Sequence, residues 1–206
     1  MSQRFQVHPL NPQPRLIRQA AELIRGGSLI VYPTDSGYAF GWHIGERDAA
    51  ERLQQIRQTG KDHNFTLVCR DLSEIASYAR IDNPTYRLLR AHTPGAYTFI
   101  LRATREVPRR LQNPKQQTVG IRVPDHPVPR ALLAELGEPL MSSTLILPDQ
   151  DQPLADPDDI WELLSGRVDL LIDSGNCGLD PTTVVDLTGD YPRVLRQGRG
   201  DASAFA

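Results

Sequence analysis

The sequence predicts an α/β protein in which helices flank a mixed, twisted open sheet. Two observations carry this. Segments with apolar residues at helical spacing alternate with short β-branched runs for most of the length. Strands then crowd the C-terminal end, so the sheet is not expected to be wholly parallel. The 206 residues suffice for one domain with a substantial core, and no linker-like stretch divides them.

Residues 13–25 place Leu16, Ile17, Ala20, Leu23 and Ile24 on one helical face, with Pro14 suited to the first turn and Gly26-Gly27 to the stop. Leu29-Ile30-Val31 then reads as a short buried strand that must end or sit on an edge at Pro33, because proline cannot donate to a ladder. Thr34, Asp35 and Ser36 follow at its end. Residues 47–58 form a second helix with Ala49, Ala50, Leu53 and Ile56 buried, and a loop at 59–64 leads to a strand at 65–69. Helices are expected at 73–79 and 84–92, the second opened by Asn83-Pro84, then a turn at Thr93-Pro94-Gly95. Strands at 96–102 and 118–123, a helix at 126–137 stopped by Gly137, a strand at 140–147 and a helix at 157–164 come next. Strands at 168–172, 183–187 and 193–195 complete the series.

Composition excludes several classes. With 39% hydrophobic and 23% charged residues the chain reads as an ordinary globular protein, and no apolar run reaches membrane-spanning length. The N-terminal residues lack the apolar core of a signal peptide, and two cysteines, Cys69 and Cys177, make neither a disulfide framework nor a zinc pattern. A cytoplasmic protein with free thiols is expected. The net charge of −2 argues against a protein basic all over, but its distribution is uneven. Arg102, Arg105, Arg109, Arg110 and Lys115 cluster with a single acid, Glu106, whereas residues 149–162 hold six acids and no base. Nearly all basic residues are arginine, which suits bidentate recognition of phosphate.

Small hydroxyl residues and arginines recur at strand ends: Thr34 and Ser36, Thr118 and Arg122, Ser142 to Thr144, Thr182 and Thr183, and Arg196. Converging at one sheet edge they would form a polar, cationic cleft for an anionic ligand such as a nucleotide. Arg122 interrupts an apolar strand, so by the period of two it faces away from Ile121 and Val123. Each threonine also fits simple β propensity, and each arginine a solvated surface. The sequence contains no acid–base dyad, nucleophile–histidine pair, metal cluster or phosphate-binding glycine loop.

Five motifs in order give the sequence a resemblance to a known family. Tyr32-Pro33-Thr34-Asp35-Ser36-Gly37-Tyr38 resembles the Tyr-Pro-Thr-Asp/Glu-Thr-x-Tyr signature of the YrdC/YciO family. Thr93-Pro94-Gly95-Ala96-Tyr97-Thr98, Gly120-Ile121-Arg122-Val123-Pro124, Pro181-Thr182-Thr183-Val184-Val185-Asp186 and Leu195-Arg196-Gln197-Gly198 resemble its later motifs, over about residues 16–199. The resemblance implies a single YrdC-like α/β domain with a concave, positively charged surface. It also implies chemistry: threonine, bicarbonate and ATP, with magnesium, give threonylcarbamoyl-adenylate (threonylcarbamoyl-AMP) and pyrophosphate, a step in forming N6-threonylcarbamoyladenosine in tRNA. Carried over by position, Thr34, Arg122, Ser142 and Thr182 surround the threonine, and Arg57, Asn64, Thr118, Thr144 and Arg196 the ATP or AMP. The family's link to double-stranded RNA or tRNA makes Arg102, Arg105, Arg109, Arg110 and Lys115 candidate RNA contacts.

The sequence departs from the synthases of this family at two places. Their Lys-x-Arg falls on Arg57-Gln58-Thr59, which loses one guanidinium, and their Ser-x-Asn on Thr144-Leu145-Ile146, which loses an amide. A histidine on the next strand falls near Cys69. These changes resemble the YciO branch. They leave two functions in view: a synthase-type enzyme of altered or reduced rate, and a non-catalytic nucleotide- or RNA-binding protein of RNA metabolism.

Overall fold

The computed structural model describes residues 1–58, 65–113, 115–148 and 150–205. Its strands are β1 (Gln3–Gln6), β2 (Ile30–Thr34), β3 (Gly37–His43), β4 (Thr66–Val68), β5 (Tyr97–Arg102), β6 (Thr118–Arg122), β7 (Leu140–Thr144), β8 (Leu170–Asp173), β9 (Thr183–Asp186) and β10 (Arg193–Arg196). The helices are α1 (Pro14–Arg25), α2 (Arg47–Arg57), α3 (Leu72–Tyr78), α4 (Asn83–His92), α5 (Pro127–Leu136) and α6 (Pro157–Leu164). All ten strands join one mixed sheet in the order β1-β8-β2-β3-β7-β4-β6-β5-β9-β10. β8 runs parallel to β1 and β2, β4 to β6, and β5 to β9; the other neighbours are antiparallel.

The two faces of the sheet are covered unequally, and this creates the cleft. One face carries Val31, Phe40, Trp42, Leu67, Phe99, Ile121, Met141 and Val185, and α2, α3, α4 and α6 pack on it. On the other face α1 and α5 bury Ile17, Ala21, Ile24, Val128, Leu132 and Leu136 against Ile30, Tyr32, Ala39, Leu140 and Leu170. That second layer covers the β1, β8, β2 and β3 side. Toward β6, β5, β9 and β10 the same face holds hydroxyls and arginines instead.

Several sequence expectations are corrected. Of the two outcomes open at Pro33, the edge is the one found, and β2 runs on to Thr34. β8 pairs only with Ile30 and Val31, so that side of β2 is an edge from Tyr32 onward, where a missing donor costs nothing. β3 was absent from the sequence reading: Tyr38, Phe40 and Trp42 alternate with Ala39 and Gly41, and the small residues hide the β signal. β1 is also unforeseen; Phe5 is its one apolar residue, and Arg4 ties it to Asp173 at 2.8 Å and to Asp158 at 2.7 Å. β7 stops at Thr144, not at residue 147, because the chain leaves the sheet so that Leu145 and Leu147 can enter the core. β8 lies two residues later than its expected start. The loop expected at 59–64 lies outside the described residues.

Gly41 marks the tightest point of this packing. A Cβ there would lie 2.8 Å from both Leu140 Cδ2 and Tyr32 Cε1. Gly41→Ala is therefore expected to destabilise the fold by about 1–3 kcal/mol through overpacking. A urea titration would show this as a lower midpoint with an unchanged slope.

Candidate functional site

The open part of the sheet floors a cavity of about 490 Å³. One rung of the ladder crosses it: Ser142 pairs with Thr66, Thr66 with Gly120, Gly120 with Ile100, Ile100 with Asp186, and Asp186 with Arg193, and all six line the cavity. Period-two alternation puts Thr118, Gly120 and Arg122 in the cavity while Val119 and Ile121 face mainly the core. The polar residues thus converge on a sheet face, not at the strand ends.

The cavity collects Thr34, Arg122, Ser142 and Thr182 together with Arg57, Thr118, Thr144 and Arg196. Asn64 lies outside the described residues. Of the basic cluster, Arg102, Arg105, Arg109 and Lys115 are exposed and none lines the cavity; the side chain of Arg110 lies outside the described set. Thr66, Thr98, Asp186 and Arg193 were not singled out from the sequence. Their signal was parity: each shares the open face of its strand.

A two-residue turn, Asp35-Ser36, joins β2 to β3. Gly37 closes it at φ +115, and a Cβ there would meet the Gly178 carbonyl at 2.8 Å, so only glycine fits. Thr34 Oγ1 donates to Gly37 O at 2.6 Å and accepts from Ser36 N at 3.1 Å, which spends its hydroxyl on the turn itself. Ser142 Oγ donates to Phe40 O at 2.9 Å, so the Tyr32 hydroxyl, 2.8 Å away, donates to it. Burial pushes the Tyr32 phenol up to about 12, which keeps that donor protonated. Ser142 can therefore offer a ligand only an acceptor.

Arg122 is buried on the same floor. Its Nη1 donates to Ser36 Oγ at 3.0 Å and its Nη2 to Asp35 Oδ1, while its Nε is buried without a hydrogen-bond partner among the described residues. Across the cleft, Arg196 Nε and Nη2 donate to Thr182 O at 3.2 and 2.9 Å, and Thr182 Oγ1 lies 2.8 Å from Thr98 Oγ1. A β-bulge aims Arg196: Val194 pairs with Val185 and Arg196 with Val184, so Leu195 is the extra residue. Leu195 and Arg196 consequently both line the cavity. From α2, Arg57 Nε donates to Ile146 O at 3.1 Å and Nη1 to Ser143 Oγ. Burial lowers the pKa of Arg57 and of Arg196, the mark of guanidinium groups partly stripped of water, although arginine keeps its proton. Such groups suit phosphate.

A family model described as "Telomere recombination", the Sua5/YciO/YrdC model, matches residues 22–198. The chain belongs to the Sua5/YciO/YrdC family. It is 53% identical to Escherichia coli YciO over 205 residues, all of both chains. The crystal structure of that protein matches over the full length of both with a TM-score of 0.96. Threonylcarbamoyl-AMP synthase of Bacillus subtilis is 27% identical over 184 residues, 88% of this chain and 53% of that protein. Sua5 of P. abyssi, complexed with L-threonine, shares the fold: its TM-score is 0.87 at 24% identity, over 96% of this chain and 58% of that one. No described helix is long and apolar enough to cross a membrane.

The bulge supplies a test of how the cationic wall is built. Deleting Leu195 removes the bulge but leaves Arg196 opposite Val184 on the open face, so binding of inorganic pyrophosphate should stay within a few-fold, roughly, whereas Arg196→Ala should weaken it by roughly tenfold or more. Leu195→Ala, which keeps the bulge, should leave the affinity within about twofold. Isothermal calorimetry with pyrophosphate on the three variants reads this directly.

Proposed function

We propose that this chain is a threonylcarbamoyl-AMP synthase-type enzyme of the YciO kind, which binds L-threonine and ATP in the open cleft. The observation that carries the reading is the gathering of Thr34, Arg122, Ser142, Thr182, Arg57, Thr118, Thr144 and Arg196 round one cavity. Similarity to the B. subtilis synthase supports it, as does the fold shared with a Sua5 that binds threonine. In the proposed reaction the threonine amine and bicarbonate give a carbamate and water. A carbamate oxygen then attacks the α-phosphorus of ATP and pyrophosphate leaves. The cleft's part is positioning and charge stabilisation. Arg122 holds the amino acid, and Arg57 and Arg196 face the phosphates. Magnesium enters with the triphosphate as part of the substrate; Asp186 is the one carboxylate among the described lining residues, and Thr188 and Arg193 already occupy it. The product is the activated donor for N6-threonylcarbamoyladenosine in tRNA.

The rate is expected to be low. Ile146 lines the cavity where the synthases carry an asparagine, so a donor and an acceptor are missing there. A contact of this class is worth about 2.7–4 kcal/mol in the transition state. The same observation favours the second reading, a protein that binds nucleotide without turning it over.

Pyrophosphate release from MgATP decides between them. An enzyme should release it only when threonine and bicarbonate are both present, and Arg122→Ala should lower the rate by about a hundredfold. Absence of release, from protein that still binds AMP in calorimetry, would establish the binding function instead.

RNA binding belongs to this reading as a companion activity. Arg102, Arg105, Arg109 and Lys115 are exposed, and none forms an ion pair among the described residues. If they meet the backbone of double-stranded RNA or tRNA, affinity should fall steeply with salt, and Arg109→Glu should weaken it for every sequence tested. Affinity indifferent to both would leave the cluster as a solvated surface.

A further inference from the structure

The cleft has two electrostatically different ends. Arg122 and Arg196 stand on β6 and β10, three strand spacings apart, or roughly 14 Å. Arg196 donates to neutral oxygens, and no carboxylate lies within ion-pair distance of it among the described residues. Arg122 instead carries its own counter-ion. The Asp35 and Arg122 side chains are each 9% exposed and form an ion pair. Asp35 Oδ2 also accepts from Asp125 N at 3.1 Å, and the Asp35 carbonyl accepts from Arg199. The outlying charges of Arg199 and Asp125 are opposite in sign and exposed.

Two carboxylate oxygens and a carbonyl on one turn residue are thus engaged from two separate segments, the end of β6 with the loop after it and the C-terminal stretch at Arg199. Asp35 does not line the cavity, so it acts there through Arg122. What Arg122 presents to the cavity is a guanidinium whose charge is already matched and whose two Nη groups are already directed. Of its five N–H donors, one on each Nη remains for a ligand, while the Nε–H is buried. A second full anion docking on the guanidinium would set two negative groups against one cation in a low-dielectric site. A zwitterion brings its own positive charge and avoids that cost.

We propose that Asp35 is the specificity-determining residue that keeps the Arg122 end of the cleft electrically neutral. That end then admits a zwitterionic amino acid, offers phosphate no net attraction, and leaves the triphosphate to the Arg196 end. The inference rests on the proposed function for the identity of the zwitterion, and on the ion pair alone for its electrostatics. The Asp35 carboxylate thereby works against a second copy of the anionic substrate in the wrong subsite.

The test is Asp35→Asn, which keeps shape and removes charge, with Asp35→Glu as the conservative variant and a melting curve for each. Calorimetry with L-threonine and with inorganic phosphate, alone and in competition, gives the readout. Wild-type protein should bind threonine without competition from phosphate. In Asp35→Asn threonine should weaken by about tenfold or more, while phosphate gains a second site and competes with threonine. Asp35→Glu should restore the exclusion of phosphate. Simple loss of structure would weaken both ligands together, so a fall in threonine affinity without gain of phosphate overturns the proposal, as does an unchanged threonine affinity. Should wild-type protein bind no threonine, the proposed function loses its amino acid. A second phosphate site confined to Asp35→Asn would still uphold the assignment of Asp35.

Discussion

The cleft depends on the alternation of side chains along β6. Val119 and Ile121 are fixed by the helices packed behind the sheet, and the period of two then leaves Thr118, Gly120 and Arg122 no choice but the open face. A slip of one residue would bury Arg122 in the main core and expose the apolar set. The register is locked from both sides, by β4 pairing Leu67 with Ile121 and by β5 pairing Phe99 with Ile121. The hydrophobic core therefore places the polar site.

The same constraint has a cost. Arg122 sits where water is largely excluded, and burying an ion costs on the order of several kcal/mol. Asp35 offsets part of that, and Ser36 takes another donor. The unpartnered Nε adds a further penalty of about 1–3 kcal/mol in the absence of an acceptor. A fold selected for stability alone would not keep a guanidinium here, since apolar residues of similar volume often do as well or better than a buried pair. The arrangement is better explained by what a ligand entering the cleft gains from the guanidinium's remaining Nη donors.

The sequence made the helices legible because each buries one stripe, and all six are found close to their expected ends. It made the site residues legible one at a time, through motifs, but not the surface on which they meet. The expected convergence at strand ends followed from the habits of parallel α/β sheets. This sheet is mixed and half-covered, so its bare face is the binding surface. β3 was illegible because Gly41 and Ala39 make room for Tyr32 and α1, which suppresses the very residues that announce a strand. Asp35 read as a turn former, and only the chain's return from β6 reveals the carboxylate as the partner of Arg122.

The departures at Ile146 and Thr59 bear on how the phosphate end can work. Arg57 uses two of its nitrogens to hold β7 and the chain after it, at Ser143 and the Ile146 carbonyl. The side chain that replaced an amide is thus next to the carbonyl that anchors the remaining guanidinium. On the opposite wall Arg196 hangs from β10, an edge strand bent by a bulge and anchored to the rest through β9. An edge strand is the part of a sheet that opens most readily. The phosphate recognition proposed above therefore rests on one arginine held to the central sheet and one on a border strand. Closing the two on the proposed triphosphate would ask β10 to move and β7 to stay, so in the proposed enzyme the settling of this border strand is a step that could limit turnover as much as the missing amide does.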